Sequence, residues 1–302
     1  MKIGIICPYS VSVHGGVQMQ VLGLARSLRA LGHDALVLAP SDGPPPEVGI
    51  IVVGSSVATP ANGSVAPIAP GPAAQLRTLR ALRDEAFDVV HLHEPLAPGP
   101  TLTTLTVHPT PLLGTFHAAG VSAAYRYLRP AVRRLAARLD HRCVVSADAE
   151  ALAARYLGGA YTRLWNGIDV EAHEAAELWP TDGPTVFFIG RHEPRKGLDV
   201  LLAALARLPA DVRVWVGGDG PDREALQARY GSDSRIEWLG RIDDAEKLRR
   251  LRGADVLCAP AVRGESFGIV LLEGMAAGAA VVASDLDGYR NVATHEVDAL
   301  LA

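Results

Sequence analysis

The sequence predicts an α/β protein made of two doubly wound, parallel-sheet domains, and three observations lead there. The chain has 302 residues, long for one domain and enough for two of roughly 150 that each bury a core. Short apolar, β-branched runs alternate with longer helical stretches along most of it, which is the pattern of parallel βα units. Near the middle, the turn dipeptide Asn166-Gly167 and a polar stretch with Pro180 and Pro184 interrupt the alternation, as a domain boundary would.

The first series opens with a strand over Ile3–Cys7, a helix over Val17–Leu31 closed by Gly32, and a strand over Ala35–Leu38. Residues 41–75 are rich in proline and glycine and predict irregular loop with at most one short strand, Ile50–Val53. Ala73–Phe87 reads as a helix with Arg77, Arg80 and Arg83 on one arc and Leu76, Leu79 and Leu82 on the next. That layout suits an interfacial helix on anionic lipid and equally a core-packed helix with a solvated arginine face. Strands follow at Val89–Leu92, Leu112–Phe116 and Cys143–Val145, the last after an arginine-rich helix over 126–142 (Arg126, Arg129, Arg133, Arg134, Arg138, Arg142). The second series has strands at Val186–Ile189, Val212–Val216, Ile236–Leu239, Val256–Cys258 and Ala280–Ala283. The expected domains are 1–170 and 171–302, two Rossmann-like units whose strand C-termini would face a shared cleft.

Composition narrows the class. Hydrophobic residues at 49% and charged ones at 21% fit an ordered globular chain, and a net charge of −4 offers nothing to nucleic acid. No run approaches the roughly 20 apolar residues needed to span a bilayer, and Met1–Pro8 is too short for a signal peptide, so a cytoplasmic location is expected. Cys7, Cys143 and Cys258 are odd in number and widely spaced; they read as buried free thiols, without disulfide or zinc.

Three segments carry chemistry. Gly15-Gly16-Val17-Gln18 follows the first strand and opens a helix, where bare amides and the positive dipole end could receive phosphate, although a glycine pair is about as often only a tight turn. Gly190-Arg191-His192-Glu193-Pro194-Arg195-Lys196-Gly197 ends a strand with three cations ahead of a helix expected to start at Gly197. Arg191 and Lys196 there would offset a diphosphate, and cations at a helix N-terminus oppose its dipole, which disfavours a purely structural role. Gly264-Glu265-Ser266-Phe267-Gly268-Ile269 leads into Glu273. The glycines place Glu265 in a loop before a helix whose amides could hold phosphate, with Glu273 one to two turns inside. A carboxylate for sugar hydroxyls beside donors for phosphate is what a sugar nucleotide needs.

Together these segments resemble the retaining glycosyltransferases of family four, which have the GT-B fold. The resemblance narrows to the phosphatidyl-myo-inositol alpha-mannosyltransferases through Cys7-Pro8-Tyr9-Ser10, Asn62-Gly63-Ser64-Val65-Ala66, His93-Glu94-Pro95, Thr115-Phe116-His117 and Glu193-Pro194-Arg195-Lys196-Gly197. It implies that Gly16, Arg191, Arg195, Lys196, Lys247, Glu265, Ser266, Phe267, Gly268, Ile269 and Glu273 bind GDP-mannose, with Glu273 at the ribose and Ile242, Asp243 and Asp244 flanking the base. It implies that Tyr9, Gln18 and Asn62 lie near the inositol, that His117 takes part in catalysis, and that Glu265 orients the sugar with Arg191 and Lys196 on the leaving group. The implied protein needs no metal or other cofactor and works peripherally on the anionic, cytoplasmic face of the plasma membrane, on a phosphoinositide lipid acceptor.

The chain departs from that pattern in three places. Pro67-Ile68-Ala69-Pro70 stands where the family has an arginine-rich segment, and Ala118-Ala119-Gly120 where it tends to have hydroxyl residues. The C-terminal helices of such enzymes have no counterpart before Ala302, so a truncated chain is expected. Two alternatives therefore stand: a cytosolic family-four transferase with another nucleotide sugar and a soluble acceptor, and a catalytically silent nucleotide-binding fragment. A nucleotide-dependent oxidoreductase, suggested by Val216-Gly217-Gly218-Asp219-Gly220, lacks the G-x-G-x-x-G fingerprint.

Overall fold

In the first half of the chain, apolar runs become strands that lie parallel. The computed structural model describes residues 1–61, 64–119 and 123–302, and the chain divides into two compact units, Met1–Gly167 and Ile168–Ala302. The first contains β1 (Lys2–Ile6), α1 (Gly16–Ala30), β2 (Asp34–Ala39), β3 (Ile50–Val52), β4 (Val57–Ala61), β5 (Ser64–Ile68), α2 (Pro72–Glu85), β6 (Val89–His93), α3 (Pro100–Val107), β7 (Leu112–Phe116), α4 (Ala123–Tyr127), α5 (Arg129–Ala136), β8 (His141–Val144), α6 (Ala147–Leu157) and β9 (Thr162–Arg163). The second contains α7 (Val170–Ala175), β10 (Thr185–Ile189), α8 (Leu198–Ala204), β11 (Arg213–Gly217), α9 (Arg223–Tyr230), β12 (Ile236–Gly240), α10 (Asp244–Gly253), β13 (Val256–Ala259), α11 (Ile269–Ala277), β14 (Ala280–Ala283), α12 (Asp287–Arg290) and β15 (Leu300–Leu301).

Each unit carries one parallel sheet, ordered β3-β2-β1-β6-β7-β8-β9 in the first and β12-β11-β10-β13-β14-β15 in the second. Both orders run outward from a central strand and then resume on its other side, the Rossmann arrangement. Each therefore has one switch point, between β1 and β6 and between β10 and β13, where the loops after neighbouring strands diverge and leave a crevice. Residues of a strand point alternately to the two faces, and both faces are covered. Ile3 and Ile5 pack on α1 in one core, while Ile6 joins Leu92, Leu105, Leu112 and Ala136 in the other. In the second unit Phe187 and Trp215 enter one core with Leu251 and Leu271, and Phe188, Val214 and Val216 enter another with Leu198 and Leu202. Burial on both faces explains why these strands are continuous apolar runs and so are legible from sequence.

Four expectations need correction. Residues 41–75 are not loop with one strand at most: β4 and β5 pair antiparallel as a separate two-stranded sheet. Pro60 and Pro67 are compatible with it because a two-stranded ribbon has only edge strands, whose outward positions need no donor. The backbone N–H of Ser10 donates to the Pro67 carbonyl at 2.8 Å, tying the hairpin to the loop after β1. The helix after it buries Ala74, Thr78, Ala81 and Leu82, with Leu79 half-buried and Leu76 exposed, so the leucine arc is packed only in part.

The arginine-rich stretch is not one helix. It breaks at Leu128, with Pro130 in the first turn of α5, where a residue lacking N–H is tolerated only at a helix start. Arg138 and Arg142 fall outside both helices and donate to carbonyls of this unit, Arg138 to Leu105 and Thr106 and Arg142 to Gly158. The helix expected at Gly197 is present as α8, with Gly197 its left-handed N-cap (φ +67°), and a 3₁₀ turn over Pro194–Lys196 precedes it. Among the cysteines, Cys258 is only partly buried, while Cys7 and Cys143 are fully so.

Gly197 and Gly16 make opposite demands. A β-carbon on Gly197 would run into the Pro260 carbonyl oxygen, whereas one on Gly16 meets nothing. Gly197→Ala is expected to cost at least about 2 kcal/mol through clash and left-handed strain. Gly16→Ala, in a helical position, is expected to be neutral or stabilising by under about 1 kcal/mol. Denaturant unfolding of both variants checks the contrast.

Candidate active site

The switch-point crevice of the second unit lies where the loops after β10 and β13 diverge, and two clusters of opposite charge fill its neighbourhood. In the first, Glu193 is buried and spans two arginines: its Oε1 pairs with Arg191 Nε at 2.5 Å and its Oε2 accepts from Arg195 Nε at 2.8 Å. Arg195 reaches on with Nη1 to Glu265 Oε1 at 3.1 Å, and Lys196 Nζ donates to the same oxygen at 2.6 Å. The loops are also joined by backbone, Val262 N–H donating to the Arg195 carbonyl at 2.9 Å.

In the second cluster, Lys247 on α10 donates to Glu273 Oε1 on α11 at 3.0 Å and lies 3.6 Å from Asp244 Oδ1. Burial pulls the Lys247 ammonium down, but Glu273 and Asp244 together outweigh it and hold its pKa above the ordinary value. Asp243 caps α10, its Oδ1 accepting from Glu246 N–H at 2.8 Å, and Ile242 packs against the core beneath. Between the clusters runs the segment from Glu265 to Ile269, with Phe267 buried and Gly268 left-handed (φ +93°) as the N-cap of α11. Neither an N-cap side chain nor an acidic first-turn residue occupies the start of that helix, and of its first amides Leu271 N–H donates to the Gly268 carbonyl at 3.0 Å.

In the first unit the loops after β1, β6 and β7 converge in the same way. Gln18 on α1 is buried and donates Nε2 to the carbonyls of Ser10 and Val13, at 3.3 and 3.1 Å. Its amide NH₂ thus shapes the loop that carries Tyr9. Gly16 sits at the uncapped start of α1, facing open space. Burial above all, and then the nearby Glu94, push the Tyr9 phenol up. Asn62 lies outside the described residues.

His117, just past β7, is buried against His93, with Nε2 2.9 Å from His93 Nδ1, and His91 Nε2 lies 2.7 Å from Thr115 Oγ1. The β6–β7 register, His93 opposite Thr115, brings this file of rings together. Burial lowers all three imidazoles, His91 to about 4 and His117 to about 3, with the neighbouring rings adding to the effect on His93 and His117. Glu94, left-handed at φ +50°, accepts from the His117 and Ala118 amides through Oε1, both at 2.7 Å. Its carboxyl is raised by burial, against those two hydrogen bonds. The roles of His91, His93, Glu94 and Glu193 escape a reading by motif; the available signals are His-x-His-Glu at a strand end and an acid between two cations.

The residues from 183 to 302 match the family model described as glycosyl transferases group 1, and residues 14–172 match that of glycosyltransferase family 4. The chain belongs to glycosyltransferase family 4. This glycosyltransferase is 42% identical, over 97% of its length and 78% of the relative's, to the phosphatidyl-myo-inositol mannosyltransferase of Mycolicibacterium smegmatis. It is also 42% identical to that of Mycobacterium leprae, over 97% and 80% of the two chains. Its fold is similar to that of Anabaena Alr3699/HepE in complex with UDP and glucose, with a TM-score of 0.73, 21% identity and coverage of 100% and 85%. The lipopolysaccharide glycosyltransferase WaaG is similar at a TM-score of 0.65, 21% identity and coverage of 95% and 82%. The two Rossmann-like units are the GT-B type. Among the described residues of this family 4 enzyme, no helix is long and apolar enough to cross a membrane, and no three His, Cys, Asp or Glu side chains gather as a metal site would require.

The depressed imidazoles give the first unit a pH signature. The unfolded chain takes up protons on His91, His93 and His117 below about pH 6.5, while the folded chain does not until pH falls toward 4 or lower. Stability should therefore fall as pH drops from about 6.5 toward 4, by about 1.4 kcal/mol per pH unit for each histidine engaged. Glu94 acts with opposite sign, because its raised carboxyl binds its proton more firmly when folded. Urea unfolding between pH 4.5 and 7.5 should show this slope, and His91→Asn should flatten it.

Proposed function

We propose that this enzyme moves mannose from GDP-mannose to phosphatidyl-myo-inositol, with retention of the anomeric configuration, at the cytoplasmic face of the membrane. The observation that carries the reading is the cluster in which Glu193 holds Arg191 and Arg195 and Glu265 holds Arg195 and Lys196, set beside the uncapped start of α11. The relatives named phosphatidyl-myo-inositol mannosyltransferase, at 42% identity, direct it to this donor and acceptor.

The second unit takes the donor. Lys196 and Arg195 are held on Glu265 by one oxygen atom, Oε1. An incoming diphosphate replaces that carboxylate on the cations and on the α11 amides, and the released Glu265 turns to the sugar hydroxyls. Glu273, already 3.0 Å from Lys247, serves the ribose, and Asp243 and Asp244 flank the base. The first unit supplies the acceptor side through Tyr9, Gln18 and Asn62, with His117 at the mannose.

The bond from the anomeric carbon to the diphosphate oxygen breaks as the inositol oxygen forms its own bond to that carbon from the same face. The inositol proton passes to the departing phosphate oxygen. Arg191, Lys196 and the helix amides meet the charge that develops on the leaving group, so the reading needs neither a metal ion nor a carboxylate nucleophile. Contact with an anionic membrane belongs to the same reading, and α2 with its outward Arg80, Arg83 and Leu76 is the element to test for it.

One observation favours a second reading. Residues 48–76, which include the β4–β5 hairpin, carry no charged side chain at all, so this stretch offers a lipid phosphate no cation. A transferase with a soluble acceptor has no need of one.

Radiolabelled transfer from GDP-mannose to phosphatidylinositol vesicles, beside arms with UDP-glucose and with free inositol, separates the two readings. Labelled lipid is the expected product, and label on free inositol alone would move the assignment to the soluble acceptor. Glu265→Ala and Lys196→Ala should each lower kcat/KM by on the order of 10²–10³, with the melting temperature held within a few degrees.

A further inference from the structure

Of the three glutamates that hold cations in the two clusters of the second unit, Glu193 is the one for which neither the proposed chemistry nor the resemblance provides a task. Its position is specific. It is 6% exposed, and its two oxygens go to different arginines, in both cases at Nε and not at the outer Nη groups. Its backbone is equally engaged: its N–H donates to the Arg191 carbonyl at 2.9 Å, and its own carbonyl accepts from Lys196 N–H at 2.9 Å, closing the 3₁₀ turn that carries Arg195 and Lys196. The outer side of Arg195 behaves differently, with Nη1 shared between Glu265 and the Gly264 carbonyl at 3.1 and 3.4 Å.

We propose that Glu193 is a positioning residue for the donor diphosphate: it grips Arg191 and Arg195 by their inner nitrogens, so that both guanidinium forks face outward in one fixed orientation. The proposal rests on the reading that this crevice takes a nucleoside diphosphate. The physical division is between a buried partner that stays and a partner that is exchanged. Each guanidinium offers five N–H donors in a rigid plane; Glu193 accepts from the Nε–H of Arg195 and lies as an ion-pair partner against Nε of Arg191, leaving the Nη edges to a phosphate. Glu265, whose Oε1 rests on Arg195 Nη1 and on Lys196 Nζ, is the group a phosphate displaces. Without Glu193 the two long side chains regain their rotamers, and that freedom must be lost again whenever the donor binds.

The charge makes this testable, because simple electrostatics points the other way. Removing an acid beside three cations raises the local positive charge by one unit and should tighten an anion. Positioning says that the same change loosens it. The experiment is calorimetric titration of GDP and of UDP into the purified full chain and into Glu193→Gln, Glu193→Asp, Arg195→Ala and the Glu193→Gln/Arg195→Ala double variant, with kcat and KM for donor turnover and a melting curve for each.

The expected result is a Kd for the preferred diphosphate about tenfold or more higher in Glu193→Gln, a smaller rise in Glu193→Asp, and a fall in kcat beyond the rise in KM. In the double variant the two losses should combine less than multiplicatively, since Glu193 acts through Arg195. Glu193→Asp carries the same comparison if Glu193→Gln does not fold. Unchanged or tighter binding in the folded variant, or fully multiplicative losses, would overturn the positioning role while leaving the donor site intact. Failure of the parent chain to bind either diphosphate would overturn the donor-site reading and the proposal with it.

Discussion

All the chemistry of this chain depends on one geometric constraint: in a parallel sheet every strand ends on the same side. The loops after β10 and β13 are 70 residues apart in sequence, yet Arg195 and Lys196 from one meet Glu265 from the other. They meet because β10 and β13 are hydrogen-bonded neighbours at the switch point of their sheet. The same holds in the first unit, where β6 and β7 lie side by side in a register that sets His93 against His117. A hydrophobic requirement, that both sheet faces be buried, thus decides where polar side chains gather.

The charge pattern of the second unit is a consequence. Buried or half-buried cations need partners, and the carboxylates Glu193, Glu265 and Glu273 provide them before any donor arrives. Those partners are not equivalent. Glu193 and Glu273 are almost fully buried and belong to the fixed frame, whereas Glu265 sits on a loop flanked by the left-handed Gly264 and Gly268. A site arranged this way avoids isolated charges when empty and, in the proposed reading, has one carboxylate free to turn when the donor binds. Family membership fits this economy of parts, since a transferase acting through electrostatic contacts needs cations that keep their place without a ligand.

The first unit uses the opposite device. There His91, His93 and His117 are so thoroughly desolvated that they remain neutral through the physiological range, and Glu94 goes to the amides of His117 and Ala118 rather than to a cation. An imidazole that stays neutral can pass or accept a hydrogen bond beside a sugar without adding charge.

By itself the sequence determined the alternation of strands and helices, the placement of Glu265 in a loop before its helix, and the cationic segment after β10, because each depends on neighbours within a few residues. The apolar runs of both parallel sheets are visible for the same reason. The hairpin Val57–Ile68 was not legible, since its prolines signal loop until the ribbon is seen to have only edge strands. Nor was the break at Leu128, where a continuous arginine pattern hides the local effect of Pro130. Which acid holds which cation, and that His93 lies on His117, only the tertiary structure decided. Those contacts are fixed by strand order and register, quantities set by packing across the whole sheet and written in no single segment of the chain.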